Sequence, residues 1–358
     1  MSKTKGNVLD PTEITAEYGA DALRFALVTQ GSPGIDMRLS MQLVEASRNF
    51  VNKLWNATRF ALTSIQDIEI EMAVDGPASP SANLSLADQW IISRTHAITA
   101  EVTSLLGNHL YGEAGRQLRE FVWSELCDWY IEAAKVRLRG SDDERKAVAQ
   151  TLAFVLERSV RLLHPFMPFA TEALWQQLPH VGESVMIASW PEAGDQNPKA
   201  EETLVIVQEL VSKIRNARAD MSVEPAKLIA ATIHAGERSA AMESLSGELA
   251  FLGRISGDEL TITNAVATPT ETDVVIVASD VVGVLPLTGL VDLAVERGRV
   301  EKELAQVTQE RERLERQLGN SAFVERAPTN VVEGQRNRLA IVRDQIGVLE
   351  QRLTQLGN

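Results

Sequence analysis

The chain has 358 residues, of which 44% are hydrophobic and 23% are charged, as is usual for a water-soluble protein of two or three domains. Its formal net charge of −14 excludes a general polyanion-binding protein but leaves open a protein with local basic faces. No apolar run reaches about 18 residues, and the N-terminus is polar, so neither a membrane span nor a signal peptide is expected. The single cysteine, Cys127, excludes internal disulfides and Cys-rich zinc sites; we expect it to be a buried thiol in a reducing cytoplasm.

The first element in chain order is a short cationic loop with the sequence Met1-Ser2-Lys3-Thr4-Lys5-Gly6-Asn7. Lysine supplies charge and hydrogen-bond donors, and glycine lets the backbone approach a ligand, so the loop suits a polyphosphate. Taken alone, the same residues are equally typical of a solvated chain start. Asp10 as the N-cap and Pro11 at the first helical position then predict a helix, which the breaker Gly31–Gly34 ends.

Residues 40–191 are predicted to form an all-helical bundle. Apolar residues repeat at helical spacing from Ser40 to about Leu62, and a loop rich in Pro, Ser and Ala follows from Asp67 to Leu84. Further helices are predicted over Ala87–Leu106, Tyr111–Leu138 and Asp142–Leu163, and a last one starts at Thr171.

The composition changes after Trp190, where a small α+β module is predicted. Its helices are expected over Glu201–Ala217 and Ser239–Leu252. Its strands are expected over Leu228–Ile233, Glu259–Thr263 and Asp273–Ala278.

The C-terminal segment, from Leu290 onward, has a heptad pattern interrupted at Gly319–Pro328, which predicts an antiparallel coiled-coil hairpin. The positions of the seam are Leu293, Arg297, Val300, Leu304, Val307, Arg311, Leu314, Leu318, Val332, Leu339, Val342, Ile346, Leu349, Leu353 and Leu356. On this pattern alone, a hairpin of this kind is most often a scaffold or an oligomerisation device.

Three of these segments resemble class I aminoacyl-tRNA synthetases. Met1-Ser2-Lys3-Thr4 resembles the KMSKS loop without its first lysine, and Tyr18–Phe25 resembles the segment that follows this loop in the large editing enzymes. The block Arg48–Ala57 resembles the one that valyl-tRNA synthetases carry next. The resemblance runs from Met1 to Asn358, and the absence of a Cys-bearing zinc module favours valyl over isoleucyl enzymes.

For the loop, the resemblance implies adenylate chemistry with ATP, and with Mg²⁺ in the full enzyme. Lys3 would be the catalytic residue that contacts the phosphates, and Ser2, Lys3, Thr4 and Lys5 would bind ATP. None of the five histidines lies in a context like the HIGH motif, which in these enzymes binds ATP from the other side. We therefore expect the chain to lack the catalytic half and the editing domain, to be inactive alone, and to need an N-terminal catalytic half in cis.

For the bundle and the hairpin, the resemblance implies binding of tRNA-Val. Unpaired anticodon bases are recognised by stacking and by hydrogen bonds to base edges, and Arg59 with Phe60 offers both. The other predicted tRNA-binding residues are Arg48, Asn52, Lys53 and Asn56 in the bundle, and Arg313 and Arg316 in the hairpin. From spacing alone, Phe60 as a core residue and the arginines as solvated or salt-bridged charges are the competing interpretations.

The sequence therefore predicts a mainly α protein with four domains. These are the KMSKS loop and the end of the catalytic domain (1–39), the anticodon-binding bundle (40–191), the α+β module (192–288) and the coiled-coil arm (289–358). We expect a cytoplasmic monomer that forms the C-terminal part of a valine–tRNA ligase. The alternatives are a non-catalytic tRNA-binding paralogue and a structural coiled-coil interaction protein.

Overall fold

The computed structural model describes residues 10–31, 39–270, 273–286, 293–319 and 329–356. The fold is mainly α with a small α+β part, as predicted. The chain forms two compact units. The first comprises Met1–Gln208 and Ala240–Leu252, and the second comprises Glu209–Ser239 and Gly253–Asn358. None of the described helices has the length and the apolar character needed to cross a membrane.

The segment after the N-terminal loop forms two helices where the sequence predicted one. Helix α1 (Pro11–Tyr18) begins as predicted, because the Asp10 carboxylate accepts a hydrogen bond from the Thr12 amide at 2.8 Å. Gly19 separates α1 from α2 (Ala20–Gln30) and has a φ of +89°, which a residue with a Cβ rarely adopts. A single unbroken helix was therefore the wrong expectation.

The bundle is built from six further helices. They are α3 (Met41–Ile65), α4 (Leu86–Gly107), α5 (Tyr111–Glu120), α6 (Ile131–Arg137), α7 (Asp142–Leu163) and α8 (Pro168–Trp175). Ser85 and Ser141 begin α4 and α7 with capping boxes, in which Asp88 and Glu144 reach back to the cap. Helix α7 is buried on almost every side from Ala147 to its end, so it is the central helix of the bundle.

Two local features of the bundle were not predicted. The ten residues between α5 and α6, Phe121–Tyr130, form a π-helix, a rare conformation that is frequent at functional sites. The predicted loop before α4 contains a small hairpin of β1 (Met72–Ala73) and β2 (Gly76–Pro77). The Gln150 side chain holds this hairpin in place: it accepts a hydrogen bond from the Glu71 amide and donates to the carbonyl groups of Glu71 and Ala78.

Helix α9 (Pro198–Asp220) precedes the sheet of the second unit. The sheet has the strand order β4-β3-β6-β5, in which β3 and β4 are parallel and the other neighbours antiparallel. The strands are β3 (Ile229–His234), β4 (Ile255–Thr263), β5 (Asp273–Ala278) and β6 (Val281–Pro286). The sequence did not predict β6, because Gly283 and Pro286 interrupt its pattern. The predicted helix Ser239–Leu252 is two short ones, α10 (Ser239–Glu243) and α11 (Ser246–Gly253).

The C-terminal hairpin consists of α12 (Leu293–Gly319) and α13 (Thr329–Leu356). Leu314 of α12 packs with Val342 and Ile346 of α13, all at predicted seam positions. Arg297, also predicted for the seam, is exposed and pairs with Glu301 at 3.0 Å. Since the described apolar seam residues pack within one chain, the hairpin needs no second copy to bury them.

Candidate nucleic-acid interface

Helix α3 presents an exposed polar and aromatic face. Asn52, Trp55, Asn56 and Arg59 fall within an arc of about 100° on a helix of 3.6 residues per turn. The asparagines and Arg59 are exposed, and the Trp55 side chain is 39% exposed although it is large and apolar. The opposite face, with Phe50, Leu54 and Ala61, is fully buried, which orients the helix.

Trp55 is a candidate that sequence reasoning missed. It lies three residues after Asn52 and four before Arg59, so helical spacing alone places it between them. An exposed indole can stack on a nucleobase, and an adjacent guanidinium and amide groups can bond to base edges. This face therefore carries the three kinds of group used to recognise single-stranded RNA.

Two of the predicted contacts are already engaged within the protein. Lys53 pairs with Asp128 at 2.5 Å, and its ammonium group lies 3.9 Å from the centroid of the Trp123 ring. Phe60 is half-buried, and the ammonium group of Lys135 lies 5.5 Å from its ring centroid. Both side chains therefore face α6 and the π-helix, at the edge of the exposed face of α3.

The π-helix adds an aromatic and a cation beside this face. The Lys53 ammonium group lies over the Trp123 ring, and the guanidinium of Arg119 lies 5.7 Å from the centroid of the same ring. Cation–π contacts of this kind fix the orientation of the ring. Trp123 is partly exposed and lies next to α3.

Arg48 lies at the other end of α3. Its guanidinium is 5.2 Å from the centroid of the Tyr18 ring, and one of its nitrogens lies 3.7 Å from the Glu45 carboxylate. Arg48 and Asn52 line a shallow cavity together with Tyr18 and Phe169. The six predicted residues of α3 thus divide between two places.

The hairpin presents a second cationic surface. Arg313 and Arg316 are both exposed on α12. The sequence left open whether the interleaved glutamates neutralise them. Two of these glutamates reach across to α13 instead, where Glu310 pairs with Arg338 at 3.0 Å and Glu315 with Arg343 at 2.8 Å.

The Arg316 Nε donates to the Glu312 backbone carbonyl, a neutral group, and no carboxylate of the described residues forms an ion pair with its guanidinium. Arg326, between the two hairpin helices in the sequence, lies outside the described residues. The same holds for Ser2, Lys3, Thr4 and Lys5 of the N-terminal loop.

The remaining candidates for chemistry have structural roles. Burial raises the pKa of the Cys127 thiol to about 12, so it is inert at neutral pH. His164 shares a hydrogen bond with the Thr171 hydroxyl at 2.8 Å, and burial lowers its pKa. No group of three or more metal-binding side chains occurs among the residues that the structure describes.

Comparison with known proteins matches three ranges of the chain. Residues 88–233 match the anticodon-binding domain of tRNA ligases, and residues 292–357 match the valyl tRNA synthetase tRNA binding arm. Residues 1–40 match the class I tRNA synthetases of the I, L, M and V group. The chain is 39% identical over 360 residues to a valine–tRNA ligase of Geobacillus stearothermophilus, covering 99% of this chain and 40% of that protein.

The chain matches the C-terminal region of valyl-tRNA synthetases. A valine–tRNA ligase of Carboxydothermus hydrogenoformans is 38% identical over 361 residues, which is 100% of this chain and 40% of the relative. The chain thus spans about 40% of the length of the curated relatives it matches and corresponds to their C-terminal region. A solved ternary complex of an Agrobacterium radiobacter LeuRS with tRNA and LeuAMS is 22% identical, with a TM-score of 0.42, over 56% of this chain and 22% of that one.

The matched ranges divide the candidate residues of this chain. Trp123 and Lys135 lie inside the anticodon-binding match, and Arg313 and Arg316 lie inside the arm match. Helix α3 falls between residues 40 and 88, outside all three ranges. Its RNA contacts therefore stay predictions that follow from its exposed face.

Proposed function

We propose that this chain provides the tRNA-recognition part of a valine–tRNA ligase, which attaches valine to tRNA-Val at the expense of ATP. The observation that carries the proposal is the exposed face of α3, which holds Trp55, Asn56 and Arg59. Phe60 and the Trp123 ring, on which the Lys53 ammonium group lies, are next to this face. The face borders a bundle whose sequence matches the anticodon-binding domain of tRNA ligases.

The face of α3 would supply specificity. Unpaired anticodon bases expose their flat surfaces and their hydrogen-bonding edges, and Trp55 and Phe60 would stack against the former. Arg59 and Asn56 would bond to the edges. Asn52 lies on the same face and Lys53 at its edge. Because Lys53 is paired with Asp128, its role would be to orient the Trp123 ring rather than to contact the RNA.

The hairpin would supply affinity. Arg313 and Arg316 are exposed on a long helix, and two of the glutamates interleaved with them, Glu310 and Glu315, pair with arginines of α13. Contacts with phosphates position an RNA without distinguishing its sequence. We expect this arm to bind matched and unmatched tRNAs equally.

The N-terminal loop would complete the active site of the whole enzyme. Lys3 would stabilise the negative charge that gathers on the phosphates of ATP during adenylate formation, with Ser2, Thr4 and Lys5 beside it. Mg²⁺ would neutralise part of that charge. The chain would act with a catalytic half in cis, as a cytoplasmic monomer, and would not activate valine alone.

A titration of the whole chain with labelled tRNA tests the proposal. A tRNA carrying a valine anticodon should bind more tightly than the same tRNA with its anticodon exchanged. Equal binding would remove anticodon recognition, and no binding of either at low salt would leave a structural coiled-coil protein as the better account.

A further inference from the structure

A cavity of about 390 Å³ lies where the junction of α1 and α2 meets α3 and the first residues of α8. Its lining includes Tyr18, Asp21, Arg48, Asn52 and Phe169. Its volume falls within the range of small-ligand sites, of roughly 300–1,000 Å³. All of these residues belong to the first unit.

The aromatic groups of this cavity are available for stacking. The Phe169 side chain is 67% exposed, so its ring is open to a ligand in the cavity. The Tyr18 ring lies under the guanidinium of Arg48, 5.2 Å from its centroid. A planar ligand could therefore stack on the Phe169 ring or on the guanidinium plane.

The polar groups are suited to the edge of a planar ligand. Arg48 lines the cavity, and its guanidinium carries N–H donors in a fixed plane. The amide side chain of Asn52 is exposed at the same cavity and offers both a donor and an acceptor.

The charges around the cavity argue against a phosphate as the ligand. Glu45 lies beside Arg48, and Glu17 lies next to Tyr18. Partial loss of hydration raises the pKa of Tyr18, and both carboxylates add to this effect. The Asp21 carboxylate faces the backbone amides of Phe169 and Ala170. A dianionic phosphate would meet one carboxylate in the lining, Asp21, and one guanidinium that Glu45 already partly neutralises, whereas a neutral base would not be repelled.

We propose that this cavity binds an unpaired nucleobase of the tRNA, stacked on Phe169 and bonded by Arg48 and Asn52. This inference rests on the proposed function, because it assigns a second contact on the same RNA. Arg48 precedes Arg59 by 11 residues on α3, so the two contacts would lie about 16 Å apart along the helix. The second contact lies toward α1 and the segment that carries the loop.

The test compares Phe169→Ala, Phe169→Tyr and Met186→Ala in the whole chain, titrated with matched and anticodon-exchanged tRNA at two salt concentrations. Phe169→Ala should weaken both tRNAs about tenfold, because it removes one base–aromatic stack. Phe169→Tyr should restore affinity, and Met186→Ala should change nothing, although Met186 is 74% exposed. The salt dependence of binding should stay the same, since Phe169 carries no charge that could neutralise a phosphate.

Arg48→Lys separates a base from a phosphate. Lysine keeps the charge that a phosphate needs but loses the guanidinium plane and its fixed donors. If Arg48→Lys binds tRNA more weakly with an unchanged salt slope, the result supports a nucleobase as the ligand. If Arg48→Lys binds tRNA with unchanged affinity, the nucleobase proposal is overturned.

The other overturning results are equal affinities of Phe169→Ala and the unmutated chain, or a reduced salt slope in Phe169→Ala. Suppose that the unmutated chain discriminates between the two tRNAs and that Phe169→Ala has the same affinity for them as the unmutated chain. This inference then fails and the proposed function stands. If the unmutated chain binds no tRNA, both fail together.

Discussion

The Asp21 carboxylate accepts a hydrogen bond of 2.6 Å from the backbone amide of Ala170, a residue 149 positions later in the chain. Helix α8 has no capping side chain of its own at its first turn. Asp21, buried on α2, therefore performs that role from another helix and fixes α2 against the bundle. The same hydrogen bond positions Phe169.

Asp21→Ala should lower the free energy of unfolding by about 1–3 kcal/mol, because it removes the buried carboxylate that accepts from the amides of Phe169 and Ala170. Urea unfolding of the whole chain measures this. Asp10→Ala is the matched control, since its cap is local and exposed, and it should cost about 1 kcal/mol or less. Equal losses in the two variants would contradict the interhelical role of Asp21.

Stability should fall as the pH is lowered from 7 to 5. Burial, and then the nearby Arg158 charge, lowers the pKa of His96, whose Nδ1 accepts the Gly194 amide at 2.9 Å. The unfolded state thus binds more protons, so stability is complete above the ordinary histidine pKa and is lost below it. His96→Gln should make the slope of melting temperature against pH shallower. His164, whose pKa is also lowered, should account for a remaining slope. A slope unchanged in His96→Gln would contradict this.

Trp55→Ala should weaken binding of the matched tRNA about tenfold. It should lower folding stability by only about 1 kcal/mol, because Trp55 is 39% exposed and the change does not empty the core. Trp55→Phe keeps a stacking surface and should recover most of the affinity. Filter binding measures the first effect and thermal unfolding the second. A matched tRNA bound equally by Trp55→Ala and the unmutated chain would exclude Trp55 from the interface.

Replacing both Arg313 and Arg316 by alanine should weaken all tRNAs alike and reduce the salt slope of binding by about one for each phosphate that is no longer neutralised. Arg338→Ala is the control, since its charge is paired with Glu310 across the hairpin. It should change the salt slope much less. A loss of affinity confined to the matched tRNA would assign Arg313 and Arg316 to specificity instead.

In the complete enzyme, Lys3→Ala should slow valine activation about a hundredfold, or about 3 kcal/mol, because the lysine acts on phosphate charge in the transition state. Affinity for tRNA should stay nearly the same. ATP–pyrophosphate exchange measures the first quantity and a titration the second. A variant with normal exchange and poor tRNA binding would show that the assigned role is wrong.

Local patterns predicted most of the helices, since helical spacing and heptads depend only on neighbours in the chain. The seam contact of Leu314 with Val342 follows from the heptads in this way. The pairing of Lys53 with Asp128 does not, because it joins residues 75 positions apart through the packing of two helices. The exposure of Trp55 could not be predicted for the same reason, since the helices that pack against α3 determine which of its faces is buried.

The ion pairs that cross the hairpin give salt a second effect on this protein. Arg338–Glu310 and Arg343–Glu315 are solvent-exposed, so added electrolyte screens them as it screens an RNA backbone. Raising the ionic strength would therefore weaken the ion pairs that hold the two arm helices together, and it would also weaken the contacts of the arm with RNA phosphates. A plot of affinity against salt then contains a conformational contribution from α12 and α13. Circular dichroism of the unliganded chain over the same salt range would separate the two contributions.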